Sequence, residues 1–187
     1  TWHTDLTDGL CLNAARDVFL YLPRAVEDGS DMEARERMHH AATCAGLGFG
    51  NAMASLAHAM GHALGASFHI PHGRAVALFL PYTIEYAAGQ APGRVAELAR
   101  LLGFTDAEGE AGARRLADEV RALIERIGNP TTVAELELER GLYEERLEEL
   151  IDDAFSDTQM VTAPRSPSYD HLRQLFRCAY NGGQVGF

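Results

Sequence analysis

Leu56-Ala57-His58-Ala59-Met60-Gly61-His62-Ala63-Leu64-Gly65 reads as an apolar helix, and Phe68-His69-Ile70-Pro71-His72-Gly73 as the turn that ends it. Four of the chain's eight histidines fall in the fifteen residues from His58 to His72. Histidine is the commonest metal ligand and the side chain that titrates near neutral pH. A chain reversal at the helix end would bring His58 and His72 to one ion.

His58 and His62 are four residues apart, so on a helix they share a face. Two such histidines can bind one ion, as in HExxH, but no Glu stands between these two, so the general base of a metalloprotease is missing. Spacing alone leaves two readings open: a ligand pair, or one packed and one partly exposed histidine. His72 adds weight to the first. Pro71 restricts the residue before it to extended geometry, and Gly73 permits close approach, so the backbone sets the direction of His72. His69, on the same turn, is either a neighbour of the site or a surface residue.

Helical periodicity extends outward from this stretch through nearly the whole chain. Thr7-Asp8 resembles an N-cap, followed by Leu10, Ala14, Val18 and Leu22 at four-residue steps. Pro23 and Asp28-Gly29-Ser30 punctuate. A second helix is expected from Asp31 to about Leu64, and a third from Gly73 through Tyr86. The third is apolar on all sides at Val76-Ala77-Leu78-Phe79-Leu80 and is therefore expected to be buried, with Pro81 kinking or splitting it. Further helices are expected at about 92–103, 110–127 and 140–155 and from Ser168 to Tyr180, with breaks at Asn129-Pro130 and from Ala163 to Pro167. No alternating strand and no internal repeat is found. The expectation is one all-α domain of six to eight helices over residues 1–187.

Composition excludes several classes of function. A net charge of -11 argues against nucleic acid, because phosphate backbones need a basic surface. No basic amphipathic face suggests membrane binding, and no apolar run is long enough to span a bilayer. Cys11, Cys44 and Cys178 are odd in number, far apart and in no CxxC spacing. They point to a reducing, cytoplasmic setting, with Cys44 and Cys178 as packed helical thiols. The start Thr1-Trp2-His3-Thr4 carries no signal peptide, and it reads as a piece of a longer protein.

Other candidates take bland readings. Gly46-Leu47-Gly48-Phe49-Gly50 looks like a nucleotide loop, but a dinucleotide loop needs a strand before it, and here helical sequence lies on both sides. The preferred reading is small residues that let two helices approach. His39 and His40 diverge by about 100° on a helix and cannot both face one ion. His3 and His171 carry no special context. No Ser lies in GxSxG, and no Cys has a local histidine. The acidic stretch from Glu135 to Glu149 reads as the solvated face of two helices.

The run Ala45-Gly46-Leu47-Gly48-Phe49-Gly50-Asn51-Ala52 followed by the histidine block resembles the iron-containing (group III) alcohol dehydrogenases. That family's pattern is a small-residue helix, then H-x-x-x-H-x-x-G, then a P-H-G turn. Here these are His58, His62, Gly65 and Pro71-His72-Gly73. The spelling Phe68-His69-Ile70-Pro71-His72-Gly73 is similar to the bifunctional aldehyde–alcohol dehydrogenase branch. Leu6-Thr7-Asp8-Gly9-Leu10 matches the helix opening after the family's first two ligands. Ile127-Gly128-Asn129-Pro130 sits at a G-I-P-like break, and Ala163-Pro164-Arg165 where the family reads N-P-R.

The resemblance implies the dehydroquinate-synthase-like helical half of such an enzyme, with the N-terminal α/β NAD(P)-binding domain absent from this chain. The family's divalent ion, Fe2+ or Zn2+, is held by one Asp and three His, of which the last two match His58 and His72. The first two belong to a D-x-x-x-H motif before the helix near Asp8. His3 and Asp5 have the wrong order and spacing for it. His62 matches a histidine that sits by the nicotinamide and metal without ligating, which implies a catalytic part in proton relay. Phe49 resembles a position lining the substrate pocket, and Gln159 falls where some members have Cys and Thr.

The expected function is alcohol oxidation, or aldehyde or ketone reduction, by hydride transfer with NAD(P) once joined to the missing half. Two ligands fall short of the three that a catalytic ion normally takes. The 187 residues alone are therefore expected to be inactive and to bind metal weakly. Partners are a small alcohol or aldehyde, the chain's own nucleotide-binding domain, and further copies in a homo-oligomer, with no nucleic acid and no membrane. The alternatives are a zinc-dependent relative of the same superfold, such as a glycerol dehydrogenase or dehydroquinate synthase, and a non-catalytic helical module with structural histidines.

Overall fold

The computed structural model describes residues 2–187; Thr1 lies outside them. Nine α-helices follow in order: α1 (Asp5–Glu27), α2 (Met32–Ala52), α3 (Leu56–Phe68), α4 (His72–Ala88), α5 (Pro92–Leu101), α6 (Gly109–Arg126), α7 (Arg140–Glu145), α8 (Leu147–Ser156) and α9 (Tyr169–Asn181). Short 3₁₀ turns span Ala134–Leu136 and Thr158–Thr162. No strand occurs among the described residues, so the all-α expectation holds. No helix among them is long and apolar enough to cross a membrane.

The first helix begins earlier than Thr7-Asp8. Thr4 is the N-cap, and Thr7 is the third residue of a capping box. The Thr4 hydroxyl accepts from the Thr7 amide at 3.2 Å, and the Thr7 hydroxyl accepts from the Thr4 amide at 2.8 Å. Two donors that the helix leaves unpaired are thereby satisfied. Pro23 does not end α1, which runs to Glu27.

The helix expected from Asp31 to Leu64 is two helices. α2 buries only Ala34, Ala41 and Gly48, because it lies along α1 in a surface hairpin. α3 buries Leu56, Ala57, Ala59, Met60, Gly61, Ala63 and Leu64. One straight rod cannot serve both as a surface hairpin and as a core helix. The chain turns between them at Met53-Ala54-Ser55, where Met53 has φ 65° and Ser55 φ 75°. Both are left-handed values that non-glycine residues rarely adopt. The segment expected at 140–155 is likewise split, at Arg146 with φ -90° and ψ 0°. These two divisions raise the count to nine.

α4 is a single helix through Pro81. That proline forfeits one backbone hydrogen bond, and its ring is buried in the core. Ala75, Leu78, Phe79, Tyr82 and Tyr86 are also buried, while Leu80 is 39% exposed, so the apolar helix is covered on most sides. α3 and α8 pack together, α9 packs on α4 and α8, and the α5–α6 hairpin packs on α4. Met60, Leu64, Phe79, Ile151, Leu172 and Phe176 meet in the centre of one core. Each such side chain contributes about 1.5–3 kcal/mol on burial. The buried Tyr143 hydroxyl donates to the Phe176 carbonyl at 3.0 Å, so its polar end is not stranded.

Two glycines set how closely helices approach. A Cβ on Gly48 would lie 2.5 Å from the Cys11 sulfur, which brings α2 onto α1. The expectation for the Gly46–Gly50 run is therefore met at Gly48, while Gly46 and Gly50 face open space. A Cβ on Gly61 would lie 2.7–2.9 Å from Cγ2, Cα and N of Val76. α3 and α4 therefore touch at backbone distance one turn from the N-terminus of α4, where His72 begins the helix.

Candidate metal centre

α3 closes with His69 as its C-cap in the left-handed region, φ 55°, its amide donating to the Gly65 carbonyl. The Ile70 amide donates to the same carbonyl at 3.1 Å. Pro71 then caps α4, and His72 is its first helical residue. The reversal folds His72 back over the start of α3.

The ring centroids of His58 and His72 are 5.4 Å apart, those of His62 and His72 5.1 Å, and those of His58 and His62 5.8 Å. The structure thus brings together all three imidazoles to which a role at the site was assigned. His69 lies exposed on the surface. His58 is half-buried, and its burial, followed by the neighbouring His72 and His62, pushes its pKa below the usual histidine value. A neutral imidazole is the form that binds a metal. The donor chemistry of His58 and His72 fits a divalent ion of the first transition row. Among the described residues no three His, Cys, Asp or Glu side chains are placed to hold an ion by themselves.

Phe49, on the last turn of α2, is 46% exposed, with its ring centroid 6.3 Å from that of His58. It forms an apolar wall beside the histidines. His62 meets a partner that the sequence did not reveal: its Nδ1 lies 2.7 Å from Asp157 Oδ2. Asp157 also accepts from the Gln159 amide at 2.7 Å, capping the 3₁₀ turn. The Gln159 side-chain oxygen accepts from the Ala54 amide at 2.8 Å, in the bend between α2 and α3. Gly61 was also missed. Its signal was the small-residue stripe Ala57, Gly61, Gly65, which lies on one helical face.

The remaining histidines stand apart from this centre. His39 and His40 are exposed on α2. His3 contacts Asp8 and Arg94 at the start of α1. His171 Nδ1 pairs with the Tyr86 hydroxyl at 2.8 Å, a local context that the sequence did not signal. Cys11, Cys44 and Cys178 are free thiols.

Comparison with known proteins agrees with this geometry. The family model described as Fe-containing alcohol dehydrogenase family, C-terminal, matches residues 1–180. The chain is 32% identical to an NADPH-dependent butanol dehydrogenase of Clostridium saccharobutylicum, over 100% of this chain and 48% of that protein. It is 35% identical to an aldehyde-alcohol dehydrogenase of Streptococcus pneumoniae, over 96% of this chain and 22% of that protein. Among solved structures, an alcohol dehydrogenase from Oenococcus oeni superposes with a TM-score of 0.89 at 30% identity, covering 96% of this chain and 46% of that one. The chain thus spans about half the length of the butanol dehydrogenase and about a fifth of the aldehyde-alcohol dehydrogenase. With the family model matched from end to end of its helical core, the chain belongs to the Fe-containing alcohol dehydrogenase family and corresponds to the C-terminal part of such proteins.

Proposed function

We propose that this chain is the metal- and substrate-binding half of an iron-type alcohol dehydrogenase that exchanges hydride between small alcohols or aldehydes and NAD(P). The observation that carries this reading is the 5.4 Å approach of His58 and His72 from two successive helices. These two residues would hold Fe2+ or Zn2+ together with donors from the segment that precedes them in the family. The ion, when bound, supplies Lewis acidity that favours ionisation of an alcohol hydroxyl, and NAD(P) supplies the hydride exchange.

The chain's own residues account for the rest. Gly61 lets α4 approach α3, so that His72 stands beside His58. Phe49 walls the site on the α2 side and excludes water from an aliphatic substrate. His62, partly exposed and one turn from His58, takes and returns the hydroxyl proton. The nucleotide would be bound by an N-terminal half, since no strand and no nucleotide fingerprint occurs among the described residues. The working enzyme is proposed to be a cytoplasmic homo-oligomer.

The test is alcohol-dependent reduction of NAD+ or NADP+ by the enzyme containing this half, with the His62→Ala variant alongside. Turnover that falls in the variant with little change in KM supports the reading. Wild-type protein charged with Fe2+ or Zn2+ that turns over no alcohol with either nucleotide contradicts it.

A further inference from the structure

We infer that Asp157 is a positioning residue for His62, and that Gln159 extends the same strap to the α2–α3 bend that follows the helical turn bearing Phe49. This rests on the reading of His62 as the proton-relaying group.

His62 is 41% exposed on a helix surface, with the rings of His72 and His58 beside it. Asp157 is 17% exposed and reaches its Nδ1 at 2.7 Å. A carboxylate only accepts, so Nδ1 carries a proton, and in the neutral form of the ring the lone pair is then on Nε2. That tautomer can take a proton from a substrate hydroxyl; the opposite one cannot do so through Nε2. Asp157 is itself fixed, because its other oxygen caps the 3₁₀ turn through the Gln159 amide. The carboxylate therefore makes one bond that anchors it and one that orients the histidine.

Gln159 continues the strap. Its side-chain oxygen accepts from Ala54, which stands between Met53 at φ 65°, ψ 168° and Ser55 at φ 75°, ψ -164°. Conformations of that kind are strained for residues with a side chain and persist only where surrounding contacts over-determine them. Gln159 supplies such a contact to the peptide between the two strained residues. The Met53 amide in turn donates to the Phe49 carbonyl at 2.7 Å. One turn of chain, 157–159, thus sets both the histidine tautomer and the placement of the substrate wall.

The test begins with the metal-free chain labelled with 15N histidine, read by long-range 1H–15N correlation at alkaline pH. Wild type should show His62 as a single Nδ1–H tautomer. Asp157→Ala should show a mixture of the two, and Asp157→Glu should restore the wild-type pattern in part. Far-UV circular dichroism confirms that each variant is folded. In the intact holoenzyme, Asp157→Ala should lower kcat by about 10–100-fold with KM and metal content little changed. Gln159→Ala should speed hydrogen exchange at the Ala54 amide. An unchanged tautomer in Asp157→Ala overturns the positioning role, and an unchanged Ala54 amide in Gln159→Ala overturns the strap. The failure of the underlying reading looks different: a normal kcat in His62→Ala, with the tautomer still responding to Asp157, removes the relay and leaves the hydrogen bond.

Discussion

Gly61 and Val76 meet at backbone distance: a Cβ built on Gly61 would lie 2.8 Å from the Val76 Cα. That approach places the start of α4, and with it His72, against the face of α3 that bears His58 and His62. The geometry of the candidate centre therefore depends on a residue with no side chain.

Gly61→Ala gains about 1 kcal/mol in helix propensity. It also drives a methyl into a neighbouring backbone that cannot rotate away, and such overpacking costs about 1–3 kcal/mol. The net expectation is destabilisation, read as a lower urea midpoint. Zn2+ affinity of the intact enzyme should fall with it, because the two helices must separate. A variant as stable as wild type would show that the helices can slide apart without cost.

The glycines of α2 should divide by environment. Gly46 and Gly50 face open space, so alanine at either position should stabilise by about 0.5–1 kcal/mol. A Cβ added at Gly48 would lie 2.5 Å from the Cys11 sulfur, so Gly48→Ala should destabilise. Cys11→Ala should relieve part of that loss. A double-mutant cycle by urea denaturation measures the coupling.

Acid sensitivity should arise at helix caps. The Ala34 amide, and then Arg24, hold the Asp31 carboxyl below the usual range. The amides of Gly141 and Leu142 do the same for Glu139. A carboxylate whose pKa is depressed on folding contributes stability above its unfolded pKa and loses it as pH falls through the folded value. The melting temperature should therefore decline below about pH 4, the ordinary carboxylate range. Asp31→Asn keeps a capping oxygen without the charge and should flatten that decline.

The 187 residues alone should retain little metal after washing, because His58 and His72 supply two protein donors where a catalytic ion takes three or more. Metal analysis of the washed chain checks this. Full occupancy would mean that the missing ligands are replaced from within the chain.

Much of this was legible in the sequence. The 3.6-residue periodicity announced an all-helical chain, and Pro71-His72-Gly73 announced the reversal that returns His72 to His58. The bend at Met53-Ala54-Ser55 was not legible, because it contains neither glycine nor proline. Its positive-φ torsions accompany the Gln159 hydrogen bond to Ala54 and the burial of α3, both of which are tertiary. Asp157 was hidden for a related reason. It stands 95 residues from His62 in an acidic segment, where one carboxylate looks like any other until the 3₁₀ turn aims it. Of the two outcomes expected at Pro81, splitting does not occur: buried among α4's neighbours, it stays within a continuous helix.

As paired ligands of one divalent ion, His58 and His72 should both be needed to retain it. The deciding measurement is the metal content of the intact enzyme, as wild type and as the variants His58→Ala and His72→Ala, each shown by circular dichroism to be folded. One iron or zinc per wild-type chain is expected, with loss of it in both variants. Full metal content in either folded variant would contradict the pairing.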